Sequence, residues 1–228
     1  MTRNGLVALA LFAAGTRAAA GDVRGTVRYA GAAPQLPPLV TRGQNGCAPT
    51  LANESILVSN GKLENVVVTV SGAGLREPAP KTVTLDQKGC RFRPHVQAAP
   101  AGSTLEIVNG DRMLHNTHGY LGRQTLFNVA TALRGQRTSQ LLPRAGPVRI
   151  KCDVHEWMGA WVMVVDAPYA VVGEDGTFAI EGLPAGSYTV TAWHEKLGEQ
   201  TARVTVPDGG EVSANFTFGG SGASGGSP

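Results

Sequence analysis

The feature that most constrains this 228-residue chain is a series of short segments in which apolar and polar residues alternate, with no sustained helical period between them. In residues 104–109, for example, Leu105 and Ile107 share one face, and residues 147–151 repeat the pattern. A period of two is the spacing of a half-buried strand. The 30 glycines and 14 prolines supply turns between such strands. The sequence therefore predicts an all-β protein built from β-sandwiches.

The first twenty residues have the pattern of a secretory signal. Arg3 precedes an apolar run at residues 5–15, and small residues at 18–20 lead to Gly21. An uncleaved anchor is the alternative, although the run is short for a bilayer. No later stretch is apolar enough for a transmembrane helix, so we expect a periplasmic protein without an integral membrane segment in its mature chain. Without Arg3 and Arg17 the net charge of +3 falls to near +1, which argues against nucleic acid as a partner.

Turn and linker patterns divide the chain into five parts. We predict a signal peptide at residues 1–20, an N-terminal β segment at 21–81, a β domain at 82–166, a second β domain at 167–218 and a disordered Gly/Ser-rich tail at 219–228. Within the first β domain, residues 127–133 suit either a short helix or a loop.

One short stretch concentrates side chains that bind metals. Cys152, His155 and Met158 follow Cys-x2-His-x2-Met spacing, and His115 lies upstream. Two imidazoles, a thiolate and a weak thioether are the ligands of a type 1 copper site. Alternation along residues 147–151 places the thiol of Cys152 on the interior side of its strand. The alternative is that Cys152 is a core thiol and both histidines lie on the surface.

Two neighbours are expected to support this site. Asn116 directly follows His115, and its amide could tether the ligand loop. Trp157 either packs beneath the loop or forms part of an apolar rim around His155, where a redox partner could dock. Met163 is not predicted as a ligand, because it lies too far along the following strand.

The ligand pattern excludes two other classes of copper protein. A multicopper oxidase needs His-Cys-His, whereas Cys152 is flanked by Lys151 and Asp153. A dinuclear copper centre needs two cysteines in the loop, and this loop contains one. Electron transfer without substrate chemistry is therefore favoured, and we do not expect an enzyme.

The chain has three cysteines, an odd number for an exported protein. If Cys152 binds a metal, Cys47 and Cys90 remain, and an oxidising compartment would join them in a disulfide. Two buried free thiols are the alternative.

Three further histidines have open interpretations. His95 lies near Cys90, and the two could form a second metal site if that sulfur were free. His118 would face away from His115 on a strand, as a surface residue or a second metal contact. His194 ends a strand, as a polar turn residue or as a contact with the other domain.

Residues 82–166 carry a longer ordered pattern: Phe92-x-Pro94, Gly102, Leu105-x-Ile107-x-Asn109, Asp111, His115-Asn116 and Cys152-x2-His155-x2-Met158. This segment resembles the cupredoxins, and its ligand loop looks most like that of amicyanin. The resemblance implies a Greek-key β-sandwich that binds one copper ion through His115, Cys152, His155 and Met158, with His155 exposed. Glu156 departs from the family's usual proline.

The last part resembles the carboxypeptidase-regulatory, transthyretin-like family, through Asp175-Gly176-x-Phe178-x-Ile180 and Leu183-Pro184-x-Gly186-x-Tyr188-x-Val190. That family begins with two strands that here match Gly25-x-Val27 and residues 65–70. The resemblance implies a cupredoxin inserted into one transthyretin-like β-sandwich. The combination is similar to methylamine-utilisation and plastocyanin-like proteins.

Together these resemblances imply a periplasmic carrier of single electrons that serves a redox partner such as a dehydrogenase or a cytochrome. A copper trafficking or storage module is the alternative, as is a scaffold without redox turnover. Copper cargo sites favour clusters rich in Met and His. This chain has only four Met, which argues against such a cluster.

Overall fold

The computed structural model describes residues 19–219, so most of the predicted signal and nearly all of the predicted tail lie outside the described residues. Within this range the fold is all-β, as predicted, and the sole helical element is a short 3-10 turn at Gln44–Gly46. Nothing in the described part of the chain forms a helix long and apolar enough to cross a bilayer.

The strands fall into three consecutive groups. The first is β1 Gly21–Ala30, β2 Leu39–Val40, β3 Thr50–Leu51, β4 Val58–Ser59, β5 Lys62–Leu63 and β6 Val66–Ser71. The second is β7 Thr82–Gln87, β8 Phe92–Arg93, β9 Val96–Pro100, β10 Ser103–Asn109, β11 His115–Leu121, β12 Gln124–Thr131, β13 Arg137–Leu142, β14 Gly146–Lys151 and β15 Gly159–Val165. The third is β16 Tyr169–Val172, β17 Thr177–Leu183, β18 Gly186–His194, β19 Gly198–Val206, β20 Glu211–Ser213 and β21 Phe216–Gly219.

Strands β7–β15 form what we call the metal-centre sandwich. One sheet has the order β13-β10-β7-β8 and the other β12-β11-β14-β15-β9. The alternating residues of β10 and β14 face inward, so Leu105, Ile107, Val148 and Ile150 are fully buried between the sheets. This packing fixes the ends of β11, β14 and β15, where the predicted metal ligands lie.

Residues 127–133 are where the sequence-based prediction was wrong. They form neither a helix nor a loop alone, because most of them belong to β12, which pairs with β11 along its whole length. Phe127 lies opposite Gly119, and a Cβ at Gly119 would be 2.4 Å from the Phe127 ring. The missing side chain leaves room for that ring, a tertiary fit that alternation alone does not reveal.

Strands β1, β4–β6 and β16–β21 form what we call the split sandwich, because they come from both ends of the chain. In one sheet β1 pairs with β17, β5, β20 and β21, and in the other β6 lies between β16 and β18. Their apolar side chains form one core, which includes Val27, Val68, Val190 and Phe218.

Strand β6 has both faces buried, which explains why it reads as a continuous apolar run and does not alternate. Val66, Val68 and Val70 face the core of the split sandwich. Val67 faces the opposite way and joins a small cluster with residues of β9 and β15, among them Met163. The two sandwiches are therefore packed against each other through apolar side chains.

Polar contacts reinforce this junction. Glu195 accepts a hydrogen bond from Trp161 Nε1 at 2.9 Å and also contacts His95 Nε2. His194 ends β18, as predicted, but its ring is buried near Phe218 and not exposed in a turn. Burial lowers the pKa of His194 to about 4, so this ring is neutral near pH 7.

We predict that Gly25→Ala destabilises the split sandwich. A Cβ at Gly25 would lie 1.7 Å from the carbonyl oxygen of Ala214, so the added methyl must push β1 away from the C-terminal strands. We expect a loss of about 2–3 kcal/mol in the free energy of unfolding, measured by urea denaturation. Gly173→Ala is the matched control, because a Cβ there meets nothing within 4 Å; an equal loss in both variants would contradict the prediction.

Candidate metal centre

The predicted ligands lie at the ends of three neighbouring strands. His115 opens β11, Cys152 follows β14, and a tight turn then leads through His155 and Met158 into β15. Two backbone bonds close this turn: the Met158 amide donates to the His155 carbonyl at 2.9 Å, and the Cys152 amide to the Met158 carbonyl at 3.4 Å. Cys152 is buried on the same side as Val148 and Ile150, where strand alternation places it.

Three of the four predicted ligands converge on one point. The Nδ1 atoms of His115 and His155 are 3.0 Å apart, and Cys152 Sγ is 3.8 Å from His155 Nδ1. All three donor atoms lie within 4.8 Å of one another. Imidazole and thiolate donors bind a small divalent ion at about 2.0–2.3 Å, so donors to one ion are a few ångström apart. The trio therefore fits a single metal ion, and its mixed imidazole and thiolate character suits copper.

Both histidines of the trio have no exposed surface, and Cys152 is almost fully buried. The alternative of a core thiol with two surface histidines therefore does not describe this structure. Met158 is buried in the same core cluster as Cys152. Met163 lies on β15 and belongs to the cluster that faces the split sandwich, on the other side of the sheet.

Burial has a direct electrostatic effect on the two imidazoles. Burial lowers the pKa of His115, although the neighbouring Asp111 carboxylate acts in the opposite direction. Burial also lowers the pKa of His155, and the nearby His115 lowers it further. Both rings are consequently neutral near pH 7. Each neutral ring can present an unprotonated Nδ1 to a metal, because its outer nitrogen Nε2 can carry the proton.

Asp111 orients the first imidazole. Its Oδ2 lies 3.0 Å from His115 Nε2, and the carboxylate also accepts hydrogen bonds from the amides of Gly89 and Cys90 at 2.8 and 2.9 Å. Burial alone would raise the pKa of Asp111, but these bonds outweigh it and the pKa is lowered. A carboxylate behind a ligand histidine fixes its tautomer. Sequence reasoning included Asp111 only as part of a motif and did not assign it this role.

Asn116 connects β11 with the ligand loop. Its backbone amide donates to Cys152 Sγ at 3.5 Å, and its side-chain Oδ1 accepts from the Asp153 amide at 2.5 Å. The structure thus places Asn116 where a tether between the two halves of the site would lie.

His155 is buried, contrary to the exposure implied by the cupredoxin resemblance. Asn45, from the loop between β2 and β3, places its side-chain Nδ2 3.0 Å from His155 Nε2. Trp157 covers another side, with its ring centroid 5.0 Å from that of His155 and its Nε1 donating to the Cys90 carbonyl at 3.2 Å. The sequence analysis did not identify Asn45. The one sequence feature that could have drawn attention to it is its position two residues before Cys47.

The Cys47–Cys90 disulfide is confirmed, with an S–S distance of 2.02 Å. It joins the loop that carries Asn45 to the turn between β7 and β8. Cys90 is thereby unavailable to a second metal site with His95. Met113 packs against the bridge, with its sulfur 3.9 Å from each cysteine sulfur.

His118 faces away from the trio, as its position on β11 predicts. Its ring contacts the Asp153 carboxylate, the Thr125 hydroxyl and the Tyr120 hydroxyl at 2.7–3.2 Å. These contacts satisfy both ring nitrogens. The metal-binding cluster within residues 19–219 consists of His115, Cys152 and His155 alone.

Comparison with known proteins gives one family and a set of structures. Residues 158–219 match the carboxypeptidase regulatory-like domain family. This segment includes β15 of the metal-centre sandwich and the C-terminal strands of the split sandwich. No curated protein matches the chain.

Solved structures that match the chain include several copper proteins, and the following three have TM-scores of only 0.32–0.33. A copper-containing nitrite reductase from Thermus scotoductus SA-01 is 26% identical over 42% of this chain and 24% of its own, with a TM-score of 0.32. A purple cupredoxin from Nitrosopumilus maritimus is 20% identical over 36% of this chain and 99% of its own, with a TM-score of 0.33. Amicyanin from Paracoccus versutus is 22% identical over 43% of this chain and 97% of its own, with a TM-score of 0.33. The chain thus spans about a quarter of the nitrite reductase.

We predict that Asp111→Asn weakens copper binding about ten- to hundredfold, because the amide cannot accept from two backbone amides and a ring N–H as the carboxylate does. Competition titration with a copper chelator measures the affinity. Asp175→Asn is the matched control, since Asp175 also accepts from a backbone amide, that of Thr177, but in the split sandwich. Equal affinities for the two variants would contradict the prediction.

Proposed function

We propose that this protein is an exported, periplasmic type 1 copper protein that carries single electrons between redox partners and has no substrate chemistry of its own. The observation that supports this most directly is the buried trio of His115, Cys152 and His155, whose donor atoms converge within 4.8 Å. When bound, copper supplies a one-electron couple at this point. The residues around it determine how freely the ligands can move.

The surroundings of the trio restrict ligand motion, which is what an electron carrier requires. His115 is held by Asp111, Cys152 by the amide of Asn116, and His155 by its place in the turn closed by the Met158 amide. Ligands that keep one arrangement in both oxidation states lower the reorganisation that each electron transfer demands, since no contact has to be broken and remade. Met158, buried in the same cluster as Cys152, would be the fourth ligand, and its thioether would tune the potential.

A trafficking or storage role would place different demands on the same residues, because cargo must be released. Here the donors are fully buried, and the atoms that orient them come from several different elements. Burial of this kind favours a resident ion over a transferred one. The proposed partner, a dehydrogenase or a cytochrome, would exchange electrons near Trp157, which is half-buried and contacts the ring of His155.

We predict that copper-loaded protein is intensely coloured and shows a reversible one-electron potential. The colour would come from charge transfer between the Cys152 thiolate and the oxidised ion, so Cys152→Ser should abolish it. Visible absorption and cyclic voltammetry make the two measurements. A colourless loaded protein would contradict type 1 binding, and a coloured protein that releases copper readily to chelators without reversible voltammetry would support trafficking or storage.

We predict that Met158→Leu raises the reduction potential while Met163→Leu leaves it near the wild-type value. Loss of a thioether donor destabilises the more highly charged oxidised ion more than the reduced one. The two substitutions are matched in chemistry, and both side chains are buried. If both variants shifted the potential equally, Met158 would not be a ligand.

A further inference from the structure

The burial of His155 depends on a thin loop that itself faces solvent. We define the cover loop as residues 41–47, between β2 and β3. Residues 42–46, including Asn45, are exposed, whereas Thr41 and Cys47 at the two ends are buried, with 2% and 6% of their surface accessible. A ring nitrogen with no exposed surface thus lies beneath a single layer of exposed chain.

Two anchors hold the cover loop in place. At one end the Thr41 amide and hydroxyl bond to Pro49 and Ala48, and the hydroxyl accepts from the Gly43 amide. At the other end Cys47 is bonded to Cys90. Between these anchors, the contact that links the loop to the metal centre is that of the Asn45 amide with His155 Nε2, at 3.0 Å.

Cys90 connects the cover loop to both imidazoles. Its amide donates to Asp111, which contacts His115, and its carbonyl accepts from Trp157, which packs on His155. The disulfide therefore attaches the loop to the same turn that positions the ligands. Because the loop precedes β4 in the chain, the segment that supplies strands to the split sandwich also covers the metal centre.

The cover loop meets the ligand loop along an open seam. A groove runs between Val40, Thr41, Arg42 and Gln44 on one side and Asp153, Val154, Glu156 and Trp157 on the other. Arg42 and the acidic residues Asp153 and Glu156 all line this groove.

We propose that residues 41–47 are a disulfide-anchored cover that closes the Nε2 edge of His155 to water and small molecules, with Asn45 as its positioning residue. When Nδ1 binds a metal, Nε2 carries the proton, and a half-turn of the Asn45 amide presents Oδ1 to accept it. The role of the cover in electron exchange rests on the proposed function, but the closure itself does not, because it is a property of the metal-free chain.

The direct test is the rate at which diethyl pyrocarbonate modifies His155 in the full-length, metal-free protein, followed by peptide mass spectrometry. His118, whose ring is partly exposed, is the internal reference in the same sample. We expect His155 to react far more slowly than His118 in the wild type. Comparable rates would overturn the proposal.

Asn45→Gly removes the amide without straining the backbone, because Asn45 has φ 53° and glycine adopts that region freely. Loss of one hydrogen bond should speed modification of His155 about three- to tenfold. Asn60→Gly is the matched control, since Asn60 has φ 52° in the β4–β5 turn and lies far along the chain from any ligand.

Removal of the anchor tests the other half of the proposal. The Cys47→Ala/Cys90→Ala double variant should speed modification of His155 about thirtyfold or more, the typical effect of losing a disulfide constraint. If that variant fails to fold, Asn45→Gly still decides the outcome. An unchanged rate for His155 in Asn45→Gly, or an equal rise in Asn60→Gly, would overturn the proposal.

The copper-loaded forms separate this proposal from the proposed function. Asn45→Gly should keep the visible colour but exchange electrons faster with hexacyanoferrate, a small hydrophilic reagent that the cover would otherwise hold away from His155. A coloured, reversible protein whose exchange rate is the same in all variants would contradict the cover and leave the electron-carrier proposal standing. A colourless wild type with a protected His155 would contradict the electron-carrier proposal and leave the cover proposal standing.

Discussion

The structure depends on one constraint: two neutral imidazoles and a thiol must be buried with their donor atoms facing each other. Burial of polar groups is costly unless each has a partner. Here Asp111 and Asn45 contact the outer nitrogens of His115 and His155, and the Asn116 amide is directed at the Cys152 sulfur. The two inner nitrogens, both Nδ1, face each other at 3.0 Å and are the atoms that can bind a metal.

Those surroundings come from the N-terminal stretch of the chain as well as from the metal-centre sandwich, and this gives the two sandwiches a joint role. The metal-centre sandwich supplies the donors and Asp111 from the ends of adjacent strands. The chain of the split sandwich supplies Asn45 and one half of the disulfide, and β6 packs its second face against β9 and β15. The junction is apolar, with Trp161 and Trp193 rings 5.5 Å apart, so the two units are not connected merely by a linker.

Local patterns predicted much of this arrangement. Alternation predicted β10 and β14 and the inward direction of Cys152, and spacing identified the trio. The sequence could not predict Asn45, because its partner His155 is 110 residues away and the two meet only through tertiary contacts. For the same reason it did not predict β12, which depends on the fit of Phe127 to Gly119, or the complete burial of His155. The alternation of apolar and polar residues is a property of a single strand, whereas the burial of a residue depends on which distant segment packs over it.

The pairing of β1 with the C-terminal strands has a consequence for how the chain matures. Val27 pairs with Phe216, so the first strand has β5 as a partner close in sequence but gains its C-terminal partners only when nearly the whole polypeptide is present. Bringing residues so distant in sequence together costs loop-closure entropy, and proteins with many such non-local contacts fold more slowly. The nine-stranded insert can condense first and bring the flanking segments together, which shortens the effective distance between them. Maturation would then proceed from the middle of the chain outward, with the N-terminal strand among the last parts to become protected.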